Sequence, residues 1–409
     1  MSAGVKAFLF AAMVIGVYGG YQGQVLTVFA SVLIAVALGL AFVWNKYAFY
    51  RLQVQRRISR RKAEFGQSVH YELEVVNDKF LPLLWLRVTD QVPAGLDFVR
   101  QGVVRRVLGA EYFSFRDVFS LGWYQRATRR YAVTPTQRGY YQFGPGRVYH
   151  AGSFGLFENT LEEALGHADL IVFPKILSLA QLGLDYHQLF GRRPREGWIH
   201  TDPLNIMGVR PYQSTDSMRA INWKASARHQ QLETNVEKPS MDDEVHIFLE
   251  SATPGAWWEW SERNAVEVSI MAAASLVESA CQAKRRVGIY SNLAQKRSGP
   301  RGGTIVRPGQ HQDQRDRVLT ALAMMQSYSI GKLTSILERE KRRIPPGSRV
   351  IVIAGEPGEQ LRRCLTDYQR RYNLTLVQLG PKEQELPGIH RLFLDREVPW
   401  DERTQLEIA

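Results

Sequence analysis

Three arginines, Arg210, Arg219 and Arg228, recur at nine-residue intervals in a stretch that also holds Tyr212, Asp216, Trp223 and Lys224. A guanidinium grips a carboxylate or phosphate with two parallel N–H bonds, so this stretch can bind an anion. It can equally close ion pairs within the chain, with Asp216 and Glu237 as candidate partners, and the sequence leaves both readings open. Trp223 is expected in the core beneath the arginines. A second group, His200, His229 and His246 with Asp202, Asp242 and Asp243, has the residue types of acid–base catalysis, but no spacing that unites them. Trp257, Trp258 and Trp260 fall within four residues and cannot all face one side of a helix, which makes them a candidate contact surface. The string contains no G-x-x-x-x-G-K-[ST], no H-E-x-x-H and no G-x-S-x-G. Gly299-Pro300-Arg301-Gly302-Gly303 has the wrong glycine spacing for a dinucleotide loop.

The elements that must carry these residues begin with an uncharged run from Ala7 to Asn45. One helix over that run would reach roughly 57 Å, nearly twice a hydrocarbon core. Gly19, Gly20 and Gly23 mark a break, so the expectation is a transmembrane hairpin with spans Val5–Tyr18 and Val25–Trp44. Trp44, Tyr47 and Tyr50 sit where interfacial aromatics belong. Lys46, Arg51, Arg56, Arg57, Arg60, Arg61 and Lys62 follow before the first acidic residue, Glu64. Such a collar stays cytoplasmic, which predicts a multi-pass inner (cytoplasmic) membrane protein with its soluble domains in the cytoplasm. The collar and Lys6 account for eight of the twelve net positive charges. The basicity therefore points to the lipid bilayer and its anionic headgroups as partner, with no nucleic acid expected. Cys281 and Cys364 form no C-x-x-C pair, which suits a reducing compartment, and Cys281 is expected in the core.

Four segments follow from composition: 1–62, the hairpin with its basic juxtamembrane stretch; 63–168, a β-sandwich-like domain; 169–242, a connector; and 243–409, an α/β domain. In the second, His70–Val76, Leu84–Val88, Arg129–Val133, Tyr140–Phe143 and Arg147–Ala151 read as short strands between turns, the pattern of an antiparallel sandwich. In the fourth, strands Val245–Leu249, Arg286–Tyr290, Val350–Ala354 and Leu374–Leu379 alternate with helices Ala265–Ala283, Arg315–Tyr328 and Leu361–Tyr372. That rhythm predicts a parallel sheet with helices on both faces and ligands at the carboxyl ends of its strands. Within the connector, Ser214 or Thr215 is the expected cap of a helix whose one face holds Met218, Ile221 and Ala225.

The string Gly208-Val209-Arg210-Pro211-Tyr212-Gln213-Ser214-Thr215-Asp216-Ser217-Met218-Arg219-Ala220-Ile221-Asn222-Trp223-Lys224-Ala225-Ser226-Ala227-Arg228 resembles the signature of the bacterial domain-of-unknown-function 58 family. Thr215 departs from it, standing where the family usually has Gly. Gln137–Pro145 resembles the family's R-G-x-Y-x-F-G-P, and Ser153–Phe157 its D-P-F-G-L-F with Gly152-Ser153 for Asp-Pro. The resemblance implies a C-terminal von Willebrand factor A-like (Rossmann-like) domain. It implies a membrane-tethered adaptor beside a MoxR-type AAA+ ATPase, with a transglutaminase-like membrane protein as a further partner, working in complex assembly or envelope maintenance. A metal-binding von Willebrand A site reads D-x-S-x-S after the first strand. The matching stretch here is Glu250-Ser251-Ala252-Thr253-Pro254, so Glu250, Ser251 and Thr253 form a degenerate site poorly suited to octahedral Mg²⁺, and no cofactor is expected. The competing expectation is a membrane-bound hydrolase, either metal-dependent through Glu250 or using the His/Asp groups.

Overall fold

The apolar N-terminal run is rich in helix-forming Ala and Leu and forms two helices. Helix α1 spans Ala3–Tyr21 and α2 spans Val25–Lys46. The computed structural model describes residues 3–98, 104–105, 112–152, 158–190, 201–213, 216–239, 244–250, 263–296, 303–309, 313–380 and 389–394. Helix α1 does not break at Gly19 or Gly20 as expected; the turn is confined to the residues around Gly23, whose φ is +68°. Gly16 and Gly19 instead allow close packing. A Cβ at Gly19 would lie 2.8 Å from Thr27 Cβ, and one at Gly16 would lie 3.0 Å from Ser31 Cβ. By length and composition α2 can cross a membrane, whereas the apolar part of α1, Phe8–Tyr21, is shorter.

The chain divides into two compact units, Met1–Pro174 and Lys175–Ala409. In the first, strands follow the helices as β1 (Leu52–Ile58), β2 (Lys62–Ala63), β3 (Val69–Asn77), β4 (Leu83–Pro93), β5 (Leu96–Phe98), β6 (Val104–Arg105), β7 (Tyr112–Leu121), β8 (Arg126–Pro135), β9 (Gly139–Phe143), β10 (Arg147–Ala151), β11 (Glu158–Leu161) and β12 (Ala168–Val172). They pair in the orders β1-β3-β8-β5, β11-β10-β4-β7-β6 and β2-β12-β9. Apart from the parallel β2–β12 contact, the ladders are antiparallel. Inward residues of the first two sheets, among them Tyr71, Leu73, Val88, Phe115, Phe119 and Tyr131, share one core.

The basic collar is not a lipid-facing segment throughout. Strand β1 pairs with β3 from Leu52↔Asn77 to Ile58↔Tyr71, so the sandwich begins at Leu52 rather than at position 63. Arg56 and Asp90 are fully buried there. Arg56 Nη1 lies 2.7 and 2.6 Å from the two Asp90 oxygens, and its Nη2 donates to Phe143 O and Gly166 O. Tyr71 donates its hydroxyl to Asp90 Oδ2 at 2.6 Å, and burial with the Asp90 charge raises its pKa well above the ordinary value. Arg57 faces Glu74 at 3.3 Å.

The second unit holds α3 (Tyr186–Phe190), β13 (Thr201–Pro211), α4 (Trp223–His229), β14 (Glu233–Pro239), β15 (Glu244–Leu249), α5 (Arg263–Gln282), β16 (Arg286–Ser291), β17 (Leu293–Gln295), β18 (Thr304–Val306), α6 (Gln314–Ala323), β19 (Met325–Ser329), α7 (Leu333–Glu340), β20 (Arg349–Ala354), α8 (Glu359–Gln369), β21 (Asn373–Leu379) and β22 (His390–Leu394). A six-stranded sheet has the order β18-β16-β15-β20-β21-β22, parallel but for edge strand β18. Its buried strands are near-continuous apolar runs such as Val350–Ala354, as a sheet covered on both faces requires. The expected helix Arg315–Tyr328 ends at Ala323. Residues from Met325 onward pair with β17 instead, because a tertiary ladder outweighs helical periodicity.

Candidate functional site

Strands β13 and β14 form an antiparallel pair, with Arg210 opposite Thr234 and Pro211 opposite Glu233. The chain between them folds back on this pair. Tyr212 N donates to Leu232 O and Asn222 N to Glu233 O, both at 2.8 Å, and Ile221 bridges Thr234. The expected cap residues Ser214 and Thr215 lie outside the described residues. Ser217 caps a short 3₁₀ turn over Met218–Ala220, the backbone then extends through Ile221, and Asn222 caps α4 by accepting from Ala225 N at 3.0 Å. Consequently Met218, Ile221 and Ala225 do not form one face: Ile221 is buried and Met218 is exposed.

Asp216 takes no place at a helix start. Its Oδ1 accepts from Arg210 Nη2 at 2.6 Å and its Oδ2 from Gln213 N at 2.9 Å, and these bonds hold its carboxyl below the usual range. The Tyr212 hydroxyl donates to Asp216 O at 3.3 Å. Arg210, Tyr212 and Asp216 thus brace the loop. Arg219, Lys224 and Arg228 differ: among the described residues none of the three forms an ion pair, and the Glu237 side chain lies outside those residues. Lys224 and Arg228 stand one helical turn apart, a like-charged pair that costs a few tenths of a kcal/mol with no carboxylate to offset it. Trp223 is not in the core. It is 68 % exposed, because the Asn222 cap makes it the first residue of α4 while Ser226 takes the buried side. Met218, at 73 %, and Leu232 are exposed on the same module.

Asn222 and Ser226 were legible only as ordinary polar residues, yet they are the hinge pins. Asn222 Nδ2 donates to Asn235 Oδ1 at 2.7 Å; Ser226 Oγ donates to Asn222 O and accepts from Glu233 N. An Asn directly before a helical run was the available signal.

The other candidate lies at the parallel sheet. Strand order reverses beside β15, since β16 lies on one side and β20 on the other, and ligands of such sheets bind outside the carboxyl ends at that reversal. Glu250 stands there, its N–H donating to Ile353 O at 2.9 Å. Desolvation pushes its carboxyl up to about 7. The positions that should supply hydroxyls include Ala252 and Pro254, which have none, so the residues do not fit octahedral Mg²⁺. Ser251, Thr253, Trp257, Trp258 and Trp260 lie outside the described residues, as do His200, Asp242, Asp243, Ser153–Phe157 and the glycine-rich turn through Gly302. Among the described residues no three His, Cys, Asp or Glu side chains group as a metal site.

Of the three histidines, the described His229 and His246 have different partners. His229 is exposed, with Nδ1 4.0 Å from Glu233 Oε1. His246 is buried within β15, its Nδ1 3.0 Å from the Tyr290 hydroxyl and its Nε2 3.3 Å from Glu244 Oε2. The bond to His246, with Arg286 beside it, keeps Glu244 below the ordinary carboxylate range. Cys281 is half-buried rather than a core residue, and burial raises its thiol pKa.

Residues 208–405 match the family model described as "Protein of unknown function DUF58". Over 221 residues the chain is 24% identical to "Uncharacterized protein YeaD" of Bacillus subtilis (strain 168), covering 52% of this chain and 51% of that one. The chain thus spans about half the length of the curated relative it matches. Among solved structures, the CARDB domain of a Pyrococcus furiosus protein is similar at 17% identity over 30% of this chain and 91% of that one, with a TM-score of 0.20. A cohesin module from Clostridium perfringens ATCC13124 is similar at 12% identity over 29% and 96% of the respective chains, with a TM-score of 0.21. Such TM-scores carry no argument about this chain. Residues 208–405, which include the braced module and the parallel sheet, are thus the part of the chain that is similar to the DUF58 family.

Proposed function

We propose that this protein is a membrane-anchored interaction protein whose β13–α4–β14 module recruits a partner at the cytoplasmic face of the inner membrane. The observation that carries this reading is Trp223, exposed beside Lys224 and Arg228, which have no ion-pair partner among the described residues. An exposed aromatic beside unpaired cations is the composition of an interface anchor. The partner class is a MoxR-type AAA+ ATPase, with a transglutaminase-like membrane protein as a further member of the assembly, serving complex assembly or envelope maintenance. The transmembrane hairpin formed by α1 and α2 is supported by the length of α2 and by the close approach of the two helices at Gly19. Lys46 at its end and Arg51, Arg60 and Arg61 beyond it support a cytoplasmic placement. Strand order supports a von Willebrand factor A-like reading of the parallel-sheet domain.

Crosslinking in intact membranes, followed by solubilisation and co-purification, tests the proposal. The wild-type chain should recover an AAA+ ATPase, and the triple variant Trp223→Ala, Lys224→Glu, Arg228→Glu should lose about 90% of it, a change of roughly 1.4 kcal/mol. Equal recovery by the variant, or none by the wild type, overturns it. The hydrolase reading rests on one observation, the carboxyl of Glu250 poised near neutrality at the reversal of strand order.

A further inference from the structure

The loops of the sandwich nearest α2 carry large apolar side chains that the core does not use. Phe80 lies between β3 and β4, Leu84 at the start of β4, and Trp123 and Tyr124 between β7 and β8. Each is between 59% and 66% exposed. The Phe80 and Trp123 rings come from different loops yet meet with centroids 4.5 Å apart and planes tilted by 32°, so the two loop tips form one surface. Tyr124 N donates to Lys79 O at 3.1 Å, which joins the loops a second time. Isolated exposed apolar residues are ordinary, whereas a contiguous group marks a contact surface.

Its position relative to α2 is fixed by hydrogen bonds. Trp44, in the last turn of α2, donates its indole N–H to Pro82 O at 3.1 Å, within the Phe80 loop. Asn159 Nδ2 donates to Asn45 O at 2.7 Å, and Asp78 N to Arg51 O at 3.2 Å. A 22-residue helix is about 33 Å long, enough to cross a core of about 30 Å, which puts its last turn at the acyl–headgroup boundary. Whatever is bonded laterally to that turn lies at the same depth. Tyr47 and Tyr50 are exposed there too, with Lys46 and Arg51 against their rings at 5.8 and 5.5 Å. Tryptophan and tyrosine with basic neighbours are the side chains that settle at this depth.

The geometry points to a second membrane contact: Phe80, Leu84, Trp123 and Tyr124 insert into the headgroup–acyl boundary of the bilayer that α2 crosses. The occupant is the lipid surface, because the patch is continuous with the end of the apolar helix. This rests on the membrane-anchored reading above.

Spin labels on the full chain test it, in a Cys281→Ser, Cys364→Ser background and in phosphatidylethanolamine–phosphatidylglycerol liposomes. Labels are placed at Phe80→Cys, Tyr124→Cys, Leu33→Cys within α2, and Ser68→Cys at the opposite end of β3. Collisions with oxygen relative to a water-soluble nickel chelate should be several-fold higher at positions 80 and 124 than at 68, and highest at 33. If 33 reads as lipid while 80 and 124 read as water, the inserted patch is overturned and the anchor stands. If 33 also reads as water, the anchor falls and this inference with it. The chain with both native cysteines gives an independent reading. Lipid brominated near the headgroup should quench a fluorescence component that Trp123→Phe removes; an unquenched component would overturn the insertion.

Discussion

Glu250 sits half-buried after β15, its carboxyl raised from 4.5 to about 7 by desolvation. Between those two values the folded chain keeps a proton that the unfolded chain has released, so stability falls as pH rises through that window. Glu250→Gln removes the titration. The variant and the wild type should unfold together at pH 4, and the variant should be the more stable at pH 8. Thermal unfolding of both in detergent at the two pH values checks the sign, and equal midpoints at pH 8 would remove the buried-carboxyl account. Other residues resisted reading for a reason that Arg56 illustrates. No carboxylate precedes Glu64, so Arg56 reads as a lipid-facing cation, yet Asp90, thirty-four positions later, meets it in the core. Charge order along a chain does not report charge pairing in space. Trp223 misled in the opposite way, since its size suggests burial while a neighbouring cap residue turns it outward.

At the scale of elements, α4 is seven residues long and too short to persist alone, so the Asn222 cap and the contacts to β14 must hold it. Asn222→Ala removes both the cap and the bond to Asn235 and should cost about 1–2 kcal/mol locally. Hydrogen exchange should show the Ala225–His229 amides exchanging roughly tenfold faster, with the parallel sheet unaffected. Unchanged protection would mean that packing alone secures the helix. Strands with strong patterns, such as Val350–Ala354 and Arg147–Ala151, were legible to within a residue. Strand β1 was not legible, because its inward series Leu52, Val54, Ile58 is interrupted by Arg56, whose buried partner Asp90 is distant in sequence. Strand β19 was hidden for the same reason behind a helix-compatible pattern.

For the whole molecule, the reading turns on α2. Membranes washed with alkaline carbonate should retain the full chain in the pellet, whereas replacing Leu33 and Ile34 by Lys should release it. Two charges at mid-helix cost about 5–7 kcal/mol on insertion scales, enough to decide the partition. Release of the wild-type chain would show that α2 does not span. The parallel sheet was foreseeable from alternating strands and helices, each long enough to span one layer of an α/β domain.

Only five residues, Tyr47 to Arg51, separate α2 from β1, and Trp44 and Asn45 are bolted to the sandwich by hydrogen bonds. Such a joint behaves as a bracket rather than a leash. A sideways pull on the strands would be transmitted as torque on the helix axis and, in the membrane-anchored reading proposed above, from there to the lipid.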